Sequence, residues 1–143
     1  MVAKVRPARA SDSNALSLLA NKLMPREART PDRIRVLKLS LRKPNYYLYV
    51  AEEDGRIAGF VDLWVFSDFV HAGRMGIIQN LFVERELRHR GIGDCLMTGI
   101  VSLANRLRLR ELHVWTSFEN RPAVSLYRKH HLEKRSLLLE REF

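Results

Sequence analysis

Two glycines flank a single isoleucine in Arg88-His89-Arg90-Gly91-Ile92-Gly93, and an amphipathic run starts there. At a helix start the first backbone N–H groups lack intrahelical partners and the dipole is positive, so a phosphate can be held there by main-chain donors. Glycine lets such a ligand approach the backbone closely. Two common glycine-rich phosphate fingerprints are excluded. A dinucleotide-binding turn needs a third glycine where Leu96 stands, and a P-loop needs Gly-Lys-Ser/Thr where Gly93 is followed by Asp94-Cys95. A second residue with chemistry is Tyr127, whose hydroxyl, with an ordinary pKa of about 10, can donate a proton at neutral pH. Its competing role is structural, because Ala123, Tyr127 and His130 share one face of a short amphipathic helix. Asn120, followed by Pro122, suits the N-cap of that helix.

The elements that position these residues follow from periodicity and turn signals. A short strand, "AKVRPA", precedes a helix with Ser11 as the expected cap and Ala15, Leu16, Leu19, Ala20 and Leu23 at helical spacing, ended by Pro25. Thr30-Pro31-Asp32 opens a second helix, which places Ile34, Leu37 and Leu41 on one face until "KPN" stops it. The run "YYLYVAEEDGRIAGFVDLWVF" reads as a hairpin turning at Asp54-Gly55, and "SDFVHAGRM" as a loop. A mostly buried strand is expected from Gly76 to Val83. A helix follows with Ile92, Cys95, Leu96, Ile100, Leu103 and Leu107 on its apolar face. "ELHVWT" is a strand, "NRPAVSLYRKHH" a short helix and "RSLLLEREF" a last strand. The order β α α β β β α β α β implies an α+β fold, a mixed sheet with helices packed on it, over a single domain spanning residues 1–143.

Composition limits the function classes. No segment approaches the ~18 uninterrupted apolar residues of a membrane span, and the first ten residues lack the apolar core of a signal peptide. One cysteine, Cys95, rules out an internal disulfide framework and fits a reducing compartment, so a cytoplasmic protein is expected. His71, His113, His130 and His131 have no zinc-ligand spacing with Cys95, and no metal is expected. The net charge of +9 fits a nucleic acid, a polyanionic small molecule or simply an arginine-rich surface.

Taken together, the motifs resemble the GNAT superfamily of acyl-CoA N-acyltransferases. Arg88 to Gly93 resembles that family's Q/R-x-x-G-x-G/A pyrophosphate loop, "LFVEREL" its fourth strand and exit, and Asn120, Ala123, Leu126 and Tyr127 its N-x-x-A-x-x-L-Y segment. The resemblance covers essentially the whole chain. It implies a mixed, mostly antiparallel sheet splayed between strands four and five, with acetyl-CoA as cosubstrate and an amine as acceptor. Backbone groups of Leu81, Phe82 and Val83 would pair with the pantetheine arm, and an N–H near Phe82 would meet the developing oxyanion. Arg88, His89, Arg90, Gly91, Ile92, Gly93 and Asp94 would wrap the pyrophosphate, and Asn120 would contact the cosubstrate. Tyr127 would protonate the leaving thiolate. The acceptor would lie around "MPREARTPD" and "SDFVHAGRM", where Glu27, Asp32, Asp62 and Asp68 could attract a cation or serve as ordinary surface charge.

The chain departs from the family pattern in three places. His89 and His131 stand where the family often has glycine, and a single strand is expected after Tyr127 where two are common. The open sheet edge then suggests a homodimer. The strand expected at Gly76–Val83 has no Asp or Glu to act as base, leaving a water chain, Asp62 or an already neutral substrate. Two alternative functions are a non-catalytic acyl-CoA sensor and a basic nucleic-acid module built on Arg106, Arg108 and Arg110. Tyr127 and the intact loop favour the enzyme over the sensor, and the nucleic-acid module would not need Tyr127 at its place.

Overall fold

The computed structural model describes residues 3–143. Five strands form one sheet in the order β1-β2-β3-β4-β5: β1 Lys4–Pro7, β2 Tyr46–Glu53, β3 Arg56–Asp68, β4 Gly73–Val83 and β5 Glu111–Val114. The first three pairings are antiparallel, and β4–β5 is parallel. Helices α1 Ser13–Leu23 and α2 Thr30–Leu41 cover one side of the sheet; α3 Ile92–Arg106 covers the other, and α4 Arg121–Lys129 packs beside α3. The β2–β3 turn has the predicted Asp54-Gly55 pair, both at positive φ (50° and 75°), as a two-residue hairpin turn requires.

Period-two alternation divides the core. Val50, Phe60 and Phe82 face α1 with Leu16 and Leu19, while Ala51, Val61 and Leu63 face α3 with Leu96, Met97 and Ile100. Strand β4 crosses between the two cores. Ile78 packs on the α3 side and Phe82 on the α1 side, although four residues of a regular strand would leave them on the same face. A bulge resolves this: Val61 pairs Leu81 and Leu63 pairs Ile78, so Gln79 and Asn80 together oppose Asp62. Beyond the last β4–β5 pair, Ile78↔Val114, β4 runs on to Val83 with no neighbouring strand on that side among the described residues. That is the splay between strands four and five.

Four sequence expectations need correction. The segment "RSLLLEREF" forms no strand; Leu137, Leu139 and Phe143 are exposed. Only the four-residue, half-exposed β5 lies at that edge, and a continuous Leu137-Leu138-Leu139 run has no second layer to bury against. Ser11 does not cap α1. A 3₁₀ turn over Ala10–Asp12 precedes the helix, and the Asp12 carboxylate accepts the Arg9 N–H at 2.7 Å. β4 begins at Gly73, not Gly76, because Ser67 and Asp68 pair with Arg74 and Gly73 and shrink the loop to residues 69–72. Cys95 lies at the margin of the apolar face of α3, half-buried. No helix among the described residues is long and apolar enough to cross a membrane.

The missing family glycine after α4 leaves a visible mark. His131 adopts φ +64°, and the helix still ends with His131 N–H on the Arg128 carbonyl (2.9 Å) and Leu132 N–H on the Tyr127 carbonyl (3.0 Å). This is the paired bond pattern of a Schellman cap with a non-glycine residue in its left-handed position. The strain is about 1–2 kcal/mol, and glycine would return about 0.5–1 kcal/mol of it through unfolded-chain entropy. His131→Gly is therefore expected to stabilise the protein slightly, by about 0.5–1 kcal/mol, read as a higher urea midpoint with an unchanged slope. A lower midpoint would show that the imidazole makes a compensating interaction.

Candidate active site

The turn from β4 into α3 presents a set of free donors. A 3₁₀ turn at Arg85–Leu87 ends with Arg88 N–H on the Arg85 carbonyl, and the next backbone bond is Cys95 N–H to the Gly91 carbonyl at 3.0 Å. Among the described residues, no acceptor meets the N–H groups of residues 89–94. His89 (φ +63°) and Gly91 (φ +80°) are both left-handed, with Gly91 at the N-cap of α3. Left-handed residues among right-handed ones curl successive N–H groups into a concave nest, and here the helix dipole adds to it. His89 thus holds the strained position raised by its sequence.

The two glycines have different duties. A Cβ on Gly91 would meet nothing within 4 Å, so open space lies above it. A Cβ on Gly93 would lie 3.2 Å from Leu126 Cδ2, so Gly93 serves the close approach of α4. The side chain of Asp94 tightens the same joint: it accepts from His130 Nε2 at 2.7 Å and Lys129 Nζ at 3.1 Å, both on or just after α4. These partners, the His130 hydrogen bond first, hold the Asp94 carboxyl below its ordinary value. His130 and Lys129 were not recognisable as parts of this joint from sequence, because they meet Asp94 only through folding.

Tyr127 lies between these pins. Its ring belongs to the α3-side core, and burial pushes its hydroxyl up to about 12. The hydroxyl makes no hydrogen bond within the described residues and is protonated at neutral pH. Asn120 caps α4 through Oδ1 to the Ala123 N–H at 3.3 Å.

The splayed end of β4 offers backbone groups of its own. Glu84 N–H bonds the Ala58 carbonyl at 2.8 Å, so by alternation Phe82 also turns its N–H toward β3, whereas Leu81 and Val83 face the open slot. Arg88 reaches across: Nε donates to the Val83 carbonyl at 3.0 Å, with the guanidinium 5.6 Å from the centre of the Phe82 ring. Arg90 contacts Glu53 at 3.4 Å. Arg106 turns toward Tyr49 Oη at 3.3 Å while Arg110 lies over Gly73, so the basic residues proposed as a nucleic-acid stripe are drawn to different strands.

On the opposite side of the sheet a cleft of about 610 Å³ opens between α1, α2 and strands β2–β4. Its walls are largely apolar, including Leu16, Leu23, Val36 and Leu37, with Tyr46 and Trp64 in ring contact at 4.5 Å. At its floor Asp62, 5% exposed, accepts Tyr46 Oη (2.8 Å), the Asn80 N–H (2.7 Å) and Asn80 Nδ2 (3.1 Å). Burial raises the Asp62 carboxyl above its ordinary value, and the hydrogen bonds from Asn80 and Tyr46 partly oppose this. Glu27 and Asp32 also line the cleft; Asp68 does not, binding His71 at the β3–β4 turn. The sequence points to residues 24–32 and to Glu27, Asp32 and Asp62 as a place for a cation, and these three acids line the cleft; the apolar walls and the bonding of Asp62 to Tyr46 and Asn80 are not legible there.

Residues 14–132 match the model of the Acetyltransferase (GNAT) family. The uncharacterized N-acetyltransferase YhfO of Bacillus subtilis (strain 168) is 29% identical over 133 residues, which cover 91% of this chain and 89% of that protein. A second protein of the same organism, named provisionally as a ribosomal protein bS18-alanine N-acetyltransferase, is 29% identical over 89 residues; the match takes in 62% of this chain and spans 55% of that protein's length. Among solved structures, AAC(6')-Iy in complex with the bisubstrate analog CoA-S-monomethyl-acetylneamine superposes with a TM-score of 0.87 at 18% identity, covering 100% of this chain and 99% of that one. A transcriptional regulator from Bacillus halodurans C-125 superposes with a TM-score of 0.90 at 16% identity over 99% of both chains. At such identities these superpositions speak for the fold. The match over residues 14–132 speaks for descent: the chain belongs to the GNAT acetyltransferase family.

Proposed function

We propose that the protein transfers the acetyl group of acetyl-CoA to a primary amine, with both substrates bound together. The observation that carries this reading is the set of unpartnered N–H groups at residues 89–94, directly after a strand whose Leu81 and Val83 backbone groups face an open slot. A pyrophosphate fits the first and an extended amide-bearing arm fits the second. Arg88, Arg90 and the dipole of α3 supply positive charge for a polyanion. Acetyl-CoA, when bound, supplies an activated acyl group as a thioester.

The residues of the chain then divide the work. The slot and the nest hold the acyl donor in place, so proximity accounts for much of the rate. The Leu81 N–H, turned to the slot, is the backbone donor suited to a developing oxyanion. Tyr127 Oη gives a proton to the departing sulfur. Its raised pKa keeps that proton available at neutral pH, and α4 is held against the phosphate turn by the Gly93–Leu126 contact and the Asp94–His130 bond.

Two outcomes test this reading. Acetyl-CoA at a hundred-fold excess over its Kd should add about 2.7 kcal/mol of stability, seen as a higher Tm. Gly91→Val, which places a β-branched residue at φ +80°, should remain folded by circular dichroism but lose most of that shift. No shift in the wild-type protein at millimolar ligand would sink the cosubstrate assignment. Tyr127→Phe should lower kcat by about a hundred-fold while acetyl-CoA affinity stays unchanged. Unaltered turnover would remove the acid role, and acetyl-CoA binding without turnover on any amine would favour a regulatory module.

A further inference from the structure

The cleft between α1, α2 and the sheet carries chemistry that the acetyl-CoA reading leaves unused. Its floor is a buried carboxylate with no cation beside it: Asp62 has hydrogen bonds from Tyr46 and Asn80 but no ion pair among the described residues. Asp32, by contrast, is held by Arg29 at 2.9 Å and approached by Arg35 at 4.0 Å. Arg33, also on the lining, is anchored to Asn21 Oδ1 at 3.1 Å and to the Met24 carbonyl. Glu27 is exposed at the rim. The Ser17 hydroxyl, on the same lining, is buried without a partner among the described residues, a second polar group here with unmet capacity. Apart from Ser40, Gln79 and Asn80, the rest of the lining is apolar or aromatic.

This composition discriminates between amines. A polyhydroxylated aminosugar needs many hydrogen-bonding partners in its site, and leaving its hydroxyls unpaired on apolar walls is costly. A polyamine needs several carboxylates free of arginine; of the three that line this cleft Asp32 is bound by Arg29, which leaves only the exposed Glu27 at the rim beside Asp62, on a chain of net charge +9. A protein N-terminus brings backbone amides that the apolar walls cannot satisfy. An alkyl or aryl body with one ammonium fits: the body covers apolar wall, and the charge finds the unpaired carboxylate.

We propose that the acceptor is a small primary monoamine on an alkyl or aryl body, seated between α1, α2 and the Tyr46–Trp64 wall with its amino group directed to Asp62. The proposal rests on the acetyl-transfer reading above. In the reaction, the ammonium passes one proton to the Asp62 carboxylate. The freed nitrogen forms a bond to the acyl carbon as the carbon–sulfur bond breaks, and sulfur takes the Tyr127 proton. The nitrogen's second proton returns through solvent to Tyr127, and Asp62 releases its own to solvent.

The test is a panel assay with acetyl-CoA that follows free thiol release. 2-Phenylethylamine and hexylamine are compared with spermidine, kanamycin and an alanyl peptide. The monoamines should be favoured at least about ten-fold in kcat/KM; a preference for any of the other three overturns the proposal. Trp64→Ala should raise KM for 2-phenylethylamine with little change in kcat, whereas Asp62→Asn should lower kcat and keep the acetyl-CoA thermal shift. Equal kinetics in both variants would also overturn it. Calorimetric titration of 2-phenylethylamine without acetyl-CoA, in wild-type protein and in Trp64→Ala, tests the cleft by itself. Acetyl-CoA binding with no binding or turnover of monoamines defeats this inference alone, while absence of acetyl-CoA binding defeats the reading beneath it.

Discussion

The carboxylate of Asp62 takes the hydrogen bond that a bulged strand would otherwise leave unmade. Inserting one extra residue at Gln79–Asn80 frees an N–H from the β3–β4 ladder, and a buried unpaired N–H costs about 1–3 kcal/mol. Asp62 Oδ1 accepts it at 2.7 Å, while Oδ2 takes the Asn80 side chain and the Tyr46 hydroxyl. Without the bulge, Ile78 and Phe82 would point into the same core, and one of the two apolar layers would be lost. The β4–β5 pairing ends at Ile78, directly before this dislocation and where β5 itself stops, and residues 79–83 run on beside the slot. Sheet register, division of the core and the candidate site therefore depend on one irregularity and the acid that satisfies it.

The second dependence is the joint between α3 and α4. A helix of nine residues is marginal by itself, so its place is fixed by contacts. The absent Cβ of Gly93 admits Leu126, and Asp94 binds His130 and Lys129. Both pins lie in the first turn of α3, the turn whose N–H groups are free. A phosphate-type nest and a tyrosine with a buried ring are thereby built from one local structure. Strain is accepted at two histidines, His89 in the nest and His131 at the end of α4, to keep its geometry.

Legibility in the sequence followed how local each signal was. The Asp54-Gly55 hairpin, the Pro31 helix start, α3 and the glycine turn are set by residues close together, and all were readable. Sequence also marked His89 and His131 as departures whose backbone needed attention, and both have positive φ. What escaped was non-local. The bulge depends on Asp62 meeting Asn80 across strands, and although residues 24–32 are marked in the sequence as a place for an acceptor, the apolar character of the cleft there arises only where the two helices meet the sheet. The "RSLLLEREF" segment failed in the other direction, since strand propensity counts for little where no apolar layer or adequate edge waits to receive it. Tyr127 was readable as a position but not as an environment: its raised pKa comes from burial among residues distant in sequence.

The charge of the chain acquires a direction from this arrangement. A net +9 gave equal standing to nucleic acid, small polyanion or plain surface. The structure separates the signs. Free N–H groups and the positive end of α3 lie at the turn after β4, while the unpaired carboxylate of Asp62 lies on the opposite face of the sheet, at the base of an apolar cleft. Under the proposed function an anionic acyl donor and a cationic acceptor would approach from opposite faces and compete for no common group. On that reading the bulge beside the slot, and the acid that stabilises the bulge, also set where two ligands of opposite charge would meet.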